Sequence, residues 1–265
     1  IMGENPVLSD PNAGHLVEAL NKLDLLIVQD IFMTETARLA GVVLPAASFA
    51  EKDGTFTNTD RRVQRVRKAL DPPGDALADW EIIRDLACAM GHAWSYSSPA
   101  EILSEIAALT PSYAGITYER LEKGGLQWPC PDRHHPGTRF LHEQRFARGL
   151  GRFHAVAFRP PAELPDDEYP LILSTGRMRY HYHTGTMTRR SQGLDHVAPE
   201  ERLQVHPDDA ACLGIADGEM VRIVSRRGQV TARAGISTRP QPGMVFGTFH
   251  FHETPINRLT NDALD

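Results

Sequence analysis

Short apolar runs, each stopped at once by polar residues or a proline, constrain this chain more than any other feature. Leu25-Leu26-Ile27-Val28 gives way to Gln29-Asp30, and Val42-Val43-Leu44 is stopped by Pro45. A run with no amphipathic period and only three or four residues long fits a strand covered on both faces. The segments around these runs have helical spacing. Leu16, Val17, Leu20 and Leu23 recur on one side, and Thr34 to Ala40 can form a short helix. Asp79 opens a helix in which Trp80, Ile83, Leu86 and Met90 share a face, ended by Gly91. Ser98-Pro99-Ala100-Glu101 is a capping box with proline at the first helical position, and its helix is expected to bury Ile102, Ile106 and Leu109. Strands alternating with helices predict a mostly parallel sheet, so residues 1–110 read as an α/β domain.

The rest of the chain follows other rules. Residues 111–168 hold Gly124-Gly125 and seven prolines (Pro129, Pro131, Pro136, Pro160, Pro161 and Pro165 among them), and read as a long irregular connection. Residues 169–265 read as mainly β. Leu171-Ile172-Leu173 is a buried strand and Val205 ends another. A short helix from Asp208 to Leu213 is closed by Gly214. Met220 to Val224 turns through Arg226-Arg227-Gly228 into Gln229 to Ala234, and Pro242-Gly243 leads into Met244 to Phe249. Strands this short and closely spaced predict a small barrel. With 265 residues, two domains are expected.

Charge and composition exclude several classes. The net charge of −6 lacks the basic excess of a nucleic-acid binder. No apolar run approaches ~18 residues, so no membrane span is expected, and no leader is visible. The expected location is therefore cytoplasmic. The chain opens on Ile1-Met2-Gly3 and stops at Leu264-Asp265, which reads as a fragment of something longer. Cys88, Cys130 and Cys212 are far apart, so neither a disulfide framework nor a metal cluster held by this chain alone is expected. Cys130, in Trp128-Pro129-Cys130-Pro131, reads as a half-buried free thiol.

Several residues can carry chemistry. Gln29-Asp30 follow a buried strand, and ligands of open parallel sheets bind outside such carboxyl ends. A solvated strand-end turn would look the same. Gly3-Glu4-Asn5-Pro6 lets backbone approach a ligand, or is only a turn. Asp79 at a helix N-cap contributes ~1 kcal/mol as a cap. It can instead take both N1–H and N2–H of a guanine, each bond to a charged group being worth ~1.5–3 kcal/mol. The densest stretch is Ser174 to Arg190, with four arginines, two histidines, four threonines, a serine and two glycines in 17 residues. It follows a strand and offers guanidinium forks, hydroxyls and backbone N–H groups to phosphates and a polar heterocycle. His181 and His183 lack a third ligand at sensible spacing for zinc. His250-Phe251-His252 is a second such pair, and alternation puts both histidines on one strand face.

Together these residues resemble the molybdopterin-dinucleotide oxidoreductase family that includes formate dehydrogenases and nitrate reductases. The markers are Met2-Gly3-Glu4-Asn5-Pro6, Val28 to Ala37, Val42-Val43-Leu44-Pro45, Glu51 to Asn58, Arg61-Arg62-Val63-Gln64, Asp79 to Ile83, His181 to Arg189, and Asn257-Arg258-Leu259-Thr260. Each is weak alone; their number and order are specific. Asp79 to Ile83 and Gly125 to Pro131 look most like formate dehydrogenase.

The resemblance implies an α/β fold: a parallel-sheet dinucleotide-binding domain followed by a double-psi β-barrel. It implies a bis-molybdopterin guanine dinucleotide with Mo or W. Gly3, Asn5, Ser9, Gln29, Asp30 and Asp79 would line one dinucleotide, with Asp79 on the guanine. Thr175, Gly176, Arg177, His181, Tyr182, His183 and Thr184 would wrap pterin and phosphate groups, and Asn257 would hydrogen-bond a pterin. Formate would be the substrate, with electrons passing through a [4Fe–4S] cluster to partner subunits. The cluster's cysteines, the metal-ligating cysteine or selenocysteine and its neighbouring histidine are not in this chain, so no catalytic or metal-binding residue is expected here. The family's tail past Asn257-Arg258-Leu259-Thr260 is not in it either. A nitrate reductase catalytic subunit, a non-catalytic dinucleotide-binding module and a ligand-free scaffold remain open alternatives.

Overall fold

The computed structural model describes residues 1–263; Leu264 and Asp265, the end of the expected barrel, lie outside the described residues. In chain order the elements are α1 (Pro6–Ser9), α2 (Ala13–Leu20), β1 (Ile27–Asp30), β2 (Val42–Pro45), β3 (Gly54–Thr57), β4 (Arg62–Val66), α3 (Asp79–Ala89), α4 (Pro99–Leu109), α5 (Tyr118–Leu121) and β5 (Leu126–Gln127). There follow β6 (Ile172–Gly176), α6 (Gln192–Val197), β7 (Arg202–Val205), α7 (Pro207–Leu213), β8 (Met220–Ser225), β9 (Gly228–Ile236) and β10 (Met244–Thr248). They form two compact units, one made of Ile1–Val43 with Ala157–Asp265, the other of Leu44–Val156. This division cuts through the 1–110 stretch that was expected to stay together.

The first unit carries a five-stranded sheet in the order β6-β10-β7-β9-β8. β6 with β10 and β7 with β9 run parallel; β10 with β7 and β8 with β9 run antiparallel. The hairpin β8–β9 turns at Arg226-Arg227 between the paired Ser225 and Gly228. Helix α7 ends as its glycine requires, with Gly214 left-handed at φ 69°. On β9, Val230, Ala232 and Ala234 are buried while the residues between them are not. Their face packs with Leu203, Val205, Ala210 and Val245, and with Ile256 and Leu259. Burying each large aliphatic side chain stabilises by about 1.5–3 kcal/mol. An apolar trough of about 770 Å³, lined by Leu171, Leu173, Val221 and Ile223 among others, borders the two edge strands.

Near the N-terminus, β1 and β2 form a separate two-stranded sheet; β1 and the first two residues of β2 belong to the same unit. Leu26, Val28 and Ala37 are its core. β1 begins at Ile27, so Gln29 and Asp30 belong to the strand instead of following it. Leu25 stays exposed, and the Thr34–Ala40 stretch contributes only one 3₁₀ turn, Ala37–Leu39.

The second unit is built on the antiparallel sheet β3-β4-β5. Val63, Leu103, Ile116, Leu121 and Cys130 form its core. The first part of the expected irregular connection is therefore packed structure. Cys130 is fully buried rather than half-buried, and its Sγ receives Arg120 Nη1 at 3.3 Å. In α3 the buried residue is Ile82, whereas Ile83, Leu86 and Met90 are exposed; in α4 it is Leu103, with Ile106 and Leu109 exposed. Periodicity marks an apolar stripe but not which flank of it another element covers. The N-cap of α3 is Ala78 and Asp79 is the first helical residue; Ala78 N–H donates to Glu81 Oε2 at 3.0 Å. The Ser98 cap of α4 is found as expected, accepting from Glu101 N.

Ile116→Ala is expected to destabilise the protein by about 2–5 kcal/mol, because the side chain is fully enclosed. Leu109→Ala, on an exposed flank, is expected to change stability by no more than about 0.5 kcal/mol. Thermal unfolding of the two variants checks the contrast.

Candidate functional site

In the first unit the N-terminal segment runs beside β1. Gly3 N–H donates to Gln29 O at 2.8 Å and Gln29 N–H to Ile1 O at 2.9 Å, with Gly3 at φ 62°. Asn5 is buried and fully occupied. Its Nδ2 donates to Glu35 Oε2 at 2.7 Å, and its Oδ1 accepts from Thr36 N and Oγ1 at 3.2 and 2.8 Å. The hydroxyl of Ser9 donates to Asp10 at 2.9 Å, and its carbonyl accepts from Asn257. Asn257 spends its amide hydrogens on Leu8 O (3.0 Å) and Ser9 O (2.8 Å). These three residues build the scaffold.

Asp30 closes β1 with Oδ1 accepting Ile31 N–H at 2.7 Å and Phe32 N–H at 3.3 Å. Burial pushes its carboxyl above the usual carboxylate range; the two backbone bonds and the charge of Arg190 oppose that push. Arg190 lies over the Phe32 ring at 4.2 Å, which brings the end of the 174–190 stretch to the end of β1.

That stretch leaves β6 at Gly176, where a Cβ would come within 2.7 Å of the Phe246 ring. It curls through His183 (φ 48°) and Gly185 (φ 72°), where a Cβ would meet His250 O at 2.6 Å. Inside the curl His181 and Thr184 are buried, while Thr175, Arg177 and Tyr182 are exposed. His181 Nε2 faces Ala198 O at 2.7 Å and therefore donates; its Nδ1 then accepts from Thr188 Oγ1 at 3.2 Å. Thr184 and Thr186 hydroxyls bond at 2.8 Å, and the Arg177 guanidinium sits 5.2 Å from the Phe249 ring centre. The stretch thus leaves Thr175, Arg177 and Tyr182 exposed, together with Arg179, Tyr180 and Arg190, beside a buried His181 whose two ring nitrogens both have partners.

Two buried groups lie beneath it: His250, named in the sequence as half of a histidine pair, and Glu201, which went unread. His250 is fully buried, beyond the end of β10, while the His252 side chain is half exposed, so the pair does not share a strand face. His250 Nε2 accepts from Met178 N–H at 2.9 Å and its Nδ1 donates to His183 O. Glu201, also buried, accepts from Thr248 N–H at 2.9 Å and from the Thr248 hydroxyl. Burial pushes its carboxyl up, only partly offset by Thr248. The alternation Thr248-Phe249-His250 was the available signal for a polar line running into the loop.

In the second unit Asp79 forms an ion pair with Lys52. Both line a pocket of about 250 Å³ with Phe56, Trp80, Ile102 and Tyr118. A carboxylate, an ammonium and aromatic walls suit a flat polar heterocycle. Among the described residues no group of three or more His, Cys, Asp or Glu side chains is placed to hold a metal ion. No helix of the described residues is long and apolar enough to cross a membrane.

Comparison with known proteins matches both ends of the chain to family models. Residues 1–89 match the molybdopterin oxidoreductase model and residues 171–265 the molydopterin dinucleotide binding domain model. The F420-dependent formate dehydrogenase subunit alpha of Methanocaldococcus jannaschii is 53% identical over all of this chain, which covers 40% of that protein. Formate dehydrogenase H of Escherichia coli is 38% identical, again over all of this chain and 38% of its own length. The assimilatory nitrate reductase catalytic subunit of Bacillus subtilis is 39% identical, over 39% of its length. The chain thus spans about two-fifths of the length of these relatives. Among solved structures, acetylene hydratase from Pelobacter acetylenicus superposes with a TM-score of 0.71 at 20% identity, covering 98% of this chain and 39% of that one.

The Glu201 carboxyl gives a pH test. Its folded-state value is raised, so its contribution to stability is full below the ordinary value of 4.5 and is lost as pH rises through the raised value. Glu201→Gln keeps an acceptor for Thr248 N–H and adds no charge. The variant is expected to melt above the unaltered protein at pH 8, the gap closing towards pH 4; thermal unfolding across that range checks it.

Proposed function

The chain belongs to the molybdopterin oxidoreductase family, and we propose that it is the cofactor-holding portion of the catalytic subunit of a Mo- or W-dependent formate dehydrogenase. The observation that carries the formate reading is the identity over the whole chain. It is 50–53% to three formate dehydrogenase alpha subunits and 39% to the nitrate reductase subunit.

The residues present fit a pterin dinucleotide. Diphosphate needs guanidinium, hydroxyl and backbone donors on an uncluttered surface. Arg177, Thr175 and Tyr182 supply the first two, and Gly176 and Gly185 keep the backbone close. Gly3 and the end of β1, with Gln29 and Asp30, offer a second approach. Asp79, beside Lys52, would take the guanine edge. In this reading His181, His183 and Thr184 shape the curl, while Asn5, Ser9 and Asn257 hold the N-terminal segment in place. When bound, the cofactor supplies the two-electron oxidation of formate to CO₂; this chain binds and orients it and provides no metal ligand.

The same reading takes the five-stranded sheet, with its parallel pairs and its trough between edge strands, as the larger part of a double-psi β-barrel. It keeps the family division at residues 110 and 168, supported by the models matched at 1–89 and 171–265. A [4Fe–4S] cluster elsewhere in the subunit, electron-accepting partner subunits and a cytoplasmic location belong to it as well.

The full-length subunit is expected to reduce a redox dye with formate. Nitrate consumption from reduced dye, without formate activity, would contradict the substrate. Asp79→Ala in that subunit is expected to weaken guanine-dinucleotide retention roughly 10- to 150-fold, the equivalent of one lost bond to a charged group. The check is bound guanine nucleotide per protein after dialysis. Arg177→Ala is expected to abolish turnover while the iron–sulfur absorbance stays.

A further inference from the structure

The loop from Arg177 to Thr184 has no regular secondary structure, yet it holds a left-handed His183. What spans it from within is one ring. Met178 N–H, near its start, donates to His250 Nε2, and His183 O, near its end, accepts from His250 Nδ1. Only the neutral tautomer with its proton on Nδ1 satisfies both partners. The ring is fully buried, with the His181, Phe249 and Phe251 rings 5.4–6.3 Å away. Gly185 passes so close to His250 O that the loop wraps around this residue.

We infer that His250 is a positioning residue that staples the Arg177–Thr184 loop from inside, so that acid, by adding a proton at Nε2, opens the loop. A proton there would set an N–H against the Met178 N–H, and the ring would lose its acceptor. The charged and titratable groups facing the ring are His181, Arg177 and His183, all on the loop. Burial pushes the ring's proton affinity down, and these neighbours push the same way; the bond to His183 O opposes them. The sign follows. A histidine whose folded-state value is lowered holds its contribution above the ordinary value of 6.5 and loses it as pH falls below that. The consequence for cofactor grip rests on the function proposed above; the staple itself does not.

Amide hydrogen exchange on the full-length subunit, corrected for the intrinsic pH dependence of exchange, reads the Met178 amide directly. Without cofactor, its protection is expected to be constant above pH 6.5. Below that it should fall about tenfold per pH unit until the lowered folded-state value is reached. His250→Gln keeps an acceptor but does not titrate, so its profile is expected to be flat. His252→Gln, at a half-exposed ring, is expected to keep the normal profile. Protection that stays constant to pH 5 in the unaltered subunit, or the same fall in His250→Gln, would overturn the staple. If His250→Gln does not fold, the unaltered subunit decides alone. Guanine-nucleotide retention over the same pH range separates the two claims. A loop that opens in acid while the nucleotide stays bound supports the staple and removes the loop from the cofactor's grip.

Discussion

The amide of Asn257 ties together parts of the chain 248 and 249 residues apart. It reaches Ser9 O and Leu8 O, and Asn12 N–H adds a bond to Thr260 O. Those bonds fasten the N-terminal helices to the segment that leaves β10. Together with Arg190 over the Phe32 ring, they link the β1 region to the five-stranded sheet within the first compact unit. A buried amide hydrogen bond contributes about 1 kcal/mol net, but leaving its partners unsatisfied costs about 1–3 kcal/mol each. The tie is therefore more important for what its loss exposes than for the energy it adds.

On that frame, polar residues divide their labour. Asn5, Asn257, His181, His250 and Glu201 are buried and satisfied by backbone or hydroxyl partners, with the Glu35 carboxylate added at Asn5. Thr175, Arg177 and Tyr182 face outward. Glu201 holds Thr248, and two residues on His250 holds the loop. A site for a large anionic cofactor needs this arrangement, since outward donors bind well only when their own backbone is already fixed.

Elements whose boundaries depend on local chemistry were legible in the sequence. Gly214 ends α7, Ser98 caps α4, and Arg226-Arg227 turns β8 into β9. Burial was less legible, because it depends on distant segments. Ile83, Leu86 and Met90 form an apolar stripe on α3, yet it is Ile82 that the second unit covers. Glycines and prolines in 111–131 hid a core around Ile116, Leu121 and Cys130. In the candidate site, the exposed donors could be read from composition, as could the Arg and Thr richness of the loop. The role of His250 could not, since it depends on Met178 and His183 being folded to either side of one ring. Asp79 was read as either a helix cap or a guanine acceptor; its partner Lys52 lies 27 residues earlier and carries no local signal.

The central claim is that this chain holds a pterin–guanine dinucleotide around a metal. The most direct measurement is the ratio of guanine nucleotide released by acid to Mo plus W in the purified full-length subunit. Two guanine nucleotides per metal atom is the result this account predicts. Metal without guanine nucleotide, or neither in a folded and soluble subunit, would contradict it.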